Sequence, residues 1–312
     1  MDAMPRLKDV GGLFKDAGSQ WLEHKASRLG AALAYYTAFS LAPLLVIVIG
    51  IVGLVFGREA ATGQIAEQIE GVVGKDGAKA IEAMVASASE PTSGVLATVI
   101  GIVMLLVGAL GLFAQLQDAL NTVWEVQPKA GRGWRGFVKD RLLSFSMVLG
   151  TAFLLLISLV VSAALATLDG LLGEWGATGF GQVLHIGVSF VVFTLLFAMI
   201  YRFLPDAKIS WRDVWFGAGF TTVLFVLGKF LIGLYLGKTG TASAYGAAGS
   251  LAALLIWLYY SSQIFLFGAE LTQAFAHRYG SRIVPKDNAI PVDDHDRAVQ
   301  GIPRESEVSR SA

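Results

Sequence analysis

Six stretches of this sequence stay apolar for about as long as a helix needs to cross a bilayer: Leu29 to Phe56, Val95 to Leu116, Leu142 to Leu168, Val183 to Leu204, Val214 to Leu236 and Gly249 to Phe267. A hydrocarbon core of about 30 Å takes about 20 helical residues. Each run is continuously apolar and about twice the ~10 residues of a barrel strand, so helices rather than strands must satisfy the backbone in lipid. The sequence therefore predicts an all-α integral membrane protein, a six-transmembrane-helix bundle whose membrane domain covers residues 29–276. With 54% hydrophobic and 15% charged residues, an ordinary soluble domain is excluded. Lys and Arg balance Asp and Glu at 24 each, so no global field points to nucleic acid as a partner. There is no cysteine, which removes disulfides, thiolate metal sites and a Cys nucleophile from consideration.

Orientation follows from the distribution of Lys and Arg. Arg6, Lys8, Lys15, Lys25 and Arg28 precede the first run, and Lys129, Arg132, Arg135, Lys139 and Arg141 lie between the second and third. Basic residues stay on the cytoplasmic side, so both termini are expected there. The first 28 residues are too polar, and the first apolar run too long, for a cleavable signal. Within residues 1–28, Val10, Phe14, Ala17 and Trp21 recur at helical spacing, the pattern of an amphipathic helix lying along the inner leaflet. The first outer connection, Gly57 to Gly94, carries the stripes Ile65/Ile69/Val72 and Ile81/Val85/Ala88 around a "GKDG" turn and predicts an external helical hairpin. The cytoplasmic tail, residues 277–312, has no apolar period from Ile283 onward and is expected to be disordered. Gly53/Gly57, Gly233/Gly237 and the glycines 101, 108 and 111 mark places where helices can approach closely.

Polar residues inside the apolar runs carry the functional reading. Tyr36, Ser40, Pro43 and Ile47 share one face of the first span, and Pro43 frees the carbonyl of Phe39. Gln117, Asn121 and Glu125 recur every four residues beside Asp118, either as a solvated helix extension or as a wedge against other helices. Tyr259, Ser262, Gln263, Leu266, Glu270 and Gln273 form a nearly continuous stripe on the sixth span. Glu270 either pairs structurally with Arg202 or Arg141 or serves function, as intramembrane ionisable groups often do. Lys229 either snorkels outward or faces the bundle near His185 or Tyr245 as an anchor for an anionic group. Together Tyr36, Ser40, Gln117, Asp118, Lys229, Tyr259, Gln263 and Glu270 are the candidate substrate-binding residues.

Catalytic constellations do not emerge from the sequence. The four histidines, His24, His185, His277 and His295, stand apart, without metal-ligand spacing, and neither a nucleophile elbow nor a P-loop is present. "DDHD" at 293–296 reads as a solvated charge run. No enzyme activity, metal or cofactor is expected.

"AALAYYTAFSLAPLL", "QLQDALNTVWEV", "YRFLPDAKISWRDVWFGA" and "TASAYGAAGSLAALLIWLYYSSQIFLFGAE" resemble, in order, the YihY/virulence factor BrkB family of bacterial inner-membrane proteins, over Lys25 to Tyr279. The resemblance implies six spans in the bacterial cytoplasmic membrane and a link to virulence; the family also carries an older ribonuclease BN label. It supplies no catalytic motif to carry over. Three functions stay open, ranked in this order: translocation of a lipid or anionic envelope precursor through a polar cavity, a scaffold for envelope assembly, and a membrane-bound ribonuclease. Membrane lipids are the expected partners. Topology is directly testable: reporters fused after Lys129 and Ile209 should read cytoplasm, and those after Asp76 and Gly173 should read outside. A cytoplasmic reading at Asp76 would overturn the six-span arrangement.

Overall fold

The computed structural model describes residues 7–57, 62–63, 65–66, 69–70, 78–86, 103, 111–129, 180–239, 247–280, 283–300 and 302. Helix α1 (Leu7–Glu23) leads through a two-residue link into α2 (Ala26–Phe56), which runs unbroken through Pro43. Residues 78–86 form α3 and residues 111–123 form α4, followed by β1 (Val126–Pro128). Then come α5 (Phe180–Phe203), β2 (Ala207–Lys208), α6 (Trp211–Thr239) and α7 (Ala247–Tyr279). The chain continues in β3 (Val284–Pro285), β4 (Ala289–Pro291) and α8 (Asp294–Gln300).

Two helices among the described residues are long and apolar enough to cross a membrane, Ala26–Gly50 within α2 and Leu251–Tyr279 within α7, with a shorter apolar stretch at Ser189–Phe203 in α5. The third expected run and most of the second lie outside the described residues. Helix α7 is the hub: α1, α2 and α6 all pack on it. The largest buried cluster joins Leu33 of α2, Leu120 and Trp124 at the end of α4, Phe197 and Tyr201 of α5, Val214 and Ala218 of α6, and Phe265 and Leu266 of α7. A second cluster joins Leu45, Val48 and Ile49 of α2 to Leu254 of α7, together with Ile65 and Ile81 of the connection that follows α2. The described members of the two stripes, Ile65, Ile69, Ile81 and Val85, thus pack against this cluster, while Val72, Ala88 and the turn expected between the stripes lie outside the described residues.

One face of helix α1 packs on α7. Leu13 and Ala17 are buried against Leu271, Ala274 and Phe275 of α7. Phe14 lies edge-on to Phe220, their ring centroids 5.2 Å apart, and Asp16 pairs with Arg278 at 2.6 Å.

Close contact between α6 and α7 rests on small residues facing larger ones. A β-carbon on Gly217 would overlap the Thr272 side chain, one on Gly268 would overlap Thr221, and one on Gly228 would come within 2.5 Å of the Tyr260 ring. At three levels a glycine thus takes the side chain of the facing helix directly against its own backbone, as at membrane-helix interfaces lined by small residues. Polar atoms exposed by that approach are satisfied locally: Thr221 Oγ1 donates to Gly217 O at 2.7 Å, Thr272 Oγ1 to Gly268 O, and Tyr201 OH to Phe265 O at 2.7 Å.

Within the tail, residues 283–300 are ordered where disorder was expected. Strand β4 pairs antiparallel with β1, and β3 with β2. Asn288 Nδ2 donates to Asp206 Oδ1 at 2.8 Å, Lys286 N to Asp206 O at 2.8 Å, and Lys286 Nζ to Pro205 O at 2.6 Å. Backbone pairing and these side-chain bonds offset the ordering entropy that the tail's few apolar residues could not. "DDHD" is a helix start, with Asp293 Oδ1 accepting from Asp296 N at 2.7 Å as an N-cap. Residues 303–312 lie outside the described residues.

Gly217→Ala should lower stability by about 1–3 kcal/mol through overpacking against Thr272, read as a lower unfolding temperature in detergent. Adding Thr272→Gly should recover part of that loss, and strict additivity of the two changes would show that the contact does not matter.

Candidate functional site

The polar stripe of α7 enters the protein rather than the solvent. Ser262 Oγ donates to Leu258 O at 2.8 Å, and Gln263 is half-buried beside α2, its Nε2 at 3.5 Å from Ser27 O. Gly30 makes room for it, since a β-carbon there would overlap the Gln263 amide. Two turns further, Glu270 is 0% exposed and Gln273 is buried.

What reaches Glu270 is His24. Glu23 ends α1 and α2 starts at Ala26, so His24 and Lys25 make the whole link. Lys25 takes the left-handed conformation at φ 51°, which bends the chain sharply and turns the His24 ring inward. Its Nδ1 lies 2.9 Å from Glu270 Oε1 and its Nε2 lies 3.2 Å from Glu125 Oε1. Glu125 is the other non-glycine residue with positive φ among the described residues, at 51°, where α4 gives way to β1. From α8, Arg297 Nη1 donates to Glu125 Oε1 at 2.8 Å and its Nη2 to Glu23 Oε1 at 2.5 Å. Gln127 Nε2 donates to Asp296 Oδ2 alongside. Five charged or chargeable side chains from the two ends and the middle of the sequence thus form one chain of contacts: Glu270, His24, Glu125, Arg297 and Glu23.

Burial acts against charge on His24, but hydrogen bonds to Glu125 and Glu270 and the charges of both carboxylates outweigh it and raise the imidazole to about 9. Burial likewise pushes the Glu125 carboxyl up, and His24 and Arg297 together overcome it and hold Glu125 below its ordinary value. Glu270 Oε2 has no hydrogen-bond partner among the described residues.

This corrects two expectations. Glu270 pairs with His24 and not with Arg202, whose guanidinium lies over the Trp211 ring at 5.4 Å; Arg141 is outside the described residues. His24 is not isolated: its partners stand 101 and 246 residues away, a separation that no local motif displays.

The remaining candidates separate. Gln117 and Asn121 both donate to Asp206 Oδ2, at 3.2 and 3.1 Å, so this part of the wedge faces protein; Asp118 is exposed. Ser40 is buried and faces α4, where a β-carbon on Gly111 would stand 3.9 Å from its Oγ. Tyr36 is 43% exposed beside Tyr35, and Tyr259 is 41% exposed, so the shared face of Tyr36 and Ser40 is not uniformly covered. Lys229 lies in α6, but its side chain and those of His185 and Tyr245 are outside the described residues. Asp206, buried and bonded to α4 and the tail, and Arg297 are site residues that sequence reasoning missed. No group of three metal-ligating side chains occurs among the described residues.

Long apolar helices closed at one end by a buried charge network define an α-helical membrane protein. The family described as Virulence factor BrkB matches residues 17–291, and the chain belongs to it. Among curated relatives, a UPF0761 membrane protein of Alkalilimnicola ehrlichii is 33% identical over 251 residues, 79% of this chain and 54% of the relative. One from Psychrobacter is 28% identical over 97% of this chain and 55% of the relative, and one from Pseudomonas aeruginosa is 29% identical over 81% and 60%. The chain spans little more than half the length of these relatives. No solved structure matches. Arg297, whose Nη1 donates to Glu125, lies beyond the residues that the family match covers.

Because His24 is raised above its unfolded value of 6.5, its contribution is fully present below pH 6.5 and is lost as pH rises through about 9. That amounts to about 3 kcal/mol. The unfolding temperature should therefore fall between pH 6.5 and 9, and His24→Gln should flatten that dependence; an unchanged slope in the variant would remove His24 as its source.

Proposed function

We infer that this protein is a six-span bacterial inner-membrane protein, with an external helical hairpin and cytoplasmic termini, that moves a lipid or anionic envelope precursor and performs no catalysis. The observation that carries this reading is the graded polar face of α7, from Tyr259, 41% exposed, through half-buried Gln263 to sealed Glu270. On an intramembrane helix such a face has no use against lipid tails. Helices α2 and α7 meet at Gly30 and Gln263, so Tyr36, about 9 Å along α2, and Tyr259, about 6 Å along α7, lie at similar depth and offer hydroxyls to a polar headgroup. In this reading Ser40, Gln117 and Asp118 border the path on the cytoplasmic half, and Lys229 meets the anionic group from the outer half.

The scaffold reading is favoured by a different observation: Glu270 is sealed and bonded to His24, as a purely structural pair would be. Two experiments together separate these readings. Cysteines at Tyr259 and Gln263 in this cysteine-free chain should react with an impermeant thiol reagent in inside-out vesicles, while cysteines at Leu255 and Phe265 stay protected. In proteoliposomes, a headgroup-resolved assay should show lipid translocation that Lys229→Gln slows. Unreactive stripe cysteines together with no translocation of any headgroup class would leave the scaffold.

A further inference from the structure

We propose that His24 is a proton relay between the water-accessible carboxylate of Glu125 and the buried carboxylate of Glu270, making Glu270 a proton-loading site inside the bundle. The proposal needs no transported molecule and stands apart from the translocation reading.

The geometry is that of an imidazole used at both nitrogens. Nδ1 is 2.9 Å from Glu270 Oε1 and Nε2 is 3.2 Å from Glu125 Oε1. The two carboxylates differ in access to water, with the Glu125 side chain 35% exposed and that of Glu270 0%. A structural clamp needs one partner for one buried charge; here the ring joins a wet acid to a dry one. Glu270 Oε2 adds the second observation, because an ionised carboxylate only accepts and this oxygen meets no donor among the described residues. A neutral carboxyl asks for fewer donors than the ion, so the acid form fits this site without a new partner.

Among the described residues, charged groups reach the relay from four places, while α5 brings Tyr201, whose OH donates to Phe265 O. Glu23 comes from α1, His24 from the α1–α2 link, Glu125 from the α4–β1 turn and Arg297 from α8. On α2, Arg28 Nη2 is directed to the Gln300 carbonyl at 3.4 Å. From α6 the residues meeting this part of α7 are Gly217 against Thr272 and Thr221 against Gly268, without charge. Arg297 keeps Glu125 ionised, so the wet acid receives protons from water and passes them on instead of storing them.

The transfer balances. Below about pH 9 His24 starts as the imidazolium, with a hydrogen on each ring nitrogen. Its Nδ1–H bond breaks as the Oε1–H bond of Glu270 forms, leaving a neutral imidazole with its hydrogen on Nε2 and a neutral Glu270. A half-turn of the ring brings the bare nitrogen to Glu125, where a proton from water, delivered by way of that carboxylate, restores the imidazolium. The reverse sequence returns the proton to water, and the net change is one proton taken up and one buried negative charge removed.

The test is infrared difference spectroscopy after a pH jump on the full chain in nanodiscs. Acidification should raise a protonated-carboxyl carbonyl band that is missing in Glu270→Gln. In His24→Gln the band should rise about a hundredfold more slowly, within the range of general acid–base effects. Glu125→Gln, at the partly exposed end, should also slow the rise while leaving the final amplitude intact, and it decides the matter if His24→Gln does not fold. Absence of a Glu270 band at every pH where the protein stays folded would overturn the proposal. So would a rise at the wild-type rate in His24→Gln, or, if that variant does not fold, in Glu125→Gln.

Discussion

The Glu270 carboxylate has no exposed surface, and one of its oxygens meets the His24 imidazole at 2.9 Å. A carboxylate among apolar helices is tolerated only when paired, and removing one partner of such a pair typically costs about 3–5 kcal/mol. The rest of this end of the protein follows from that requirement. His24 can arrive only if α1 folds back onto α7, which the left-handed Lys25 permits and the Leu13/Ala17 contact with Leu271 and Phe275 secures. Glu125 can arrive only if α4 stops there, and Arg297 only if the tail returns across the bundle on strands β3 and β4.

The α6–α7 contact solves a different problem. Lipid tails are as apolar as the side chains that face them, so apolar burial alone does not hold two spans together. Gly217, Gly228 and Gly268 let side chains of the facing helix seat against the backbone, and threonine and tyrosine hydroxyls satisfy nearby carbonyls. A rigid α7 keeps Glu270 at a fixed depth.

Much of the fold was legible because apolar length is a one-dimensional signal: α2, α5, α6 and α7 coincide with the first, fourth, fifth and sixth runs. The stripe containing Glu270 was legible for the same reason, since helical periodicity places its residues on one face. Its partner was not. His24 sits in "EHK", where nothing local marks it, and only the fold brings it to residues 101 and 246 positions away. The tail misled because its order comes from backbone pairing and from the Asp206 hub, neither of which leaves an apolar pattern. The spacings GxxxG flagged Gly233 and Gly237, whereas the glycines seen to matter at α6–α7 are spaced irregularly and are recognised by the side chains opposite them.

The order of the network along the chain has a consequence for biogenesis. His24 and Glu125 leave the ribosome well before Glu270, and Arg297 follows it. An ionised residue entering hydrocarbon unpartnered costs about 2.5–3.5 kcal/mol at the helix centre. When α7 reaches the membrane its imidazole partner has already been made and can receive the carboxylate as the helix inserts. Glu23 and Glu125 wait for their guanidinium until α8 emerges. Helix insertion and closure of the charge network are therefore separate events in vectorial synthesis, the second completed only after the α7 span has been made.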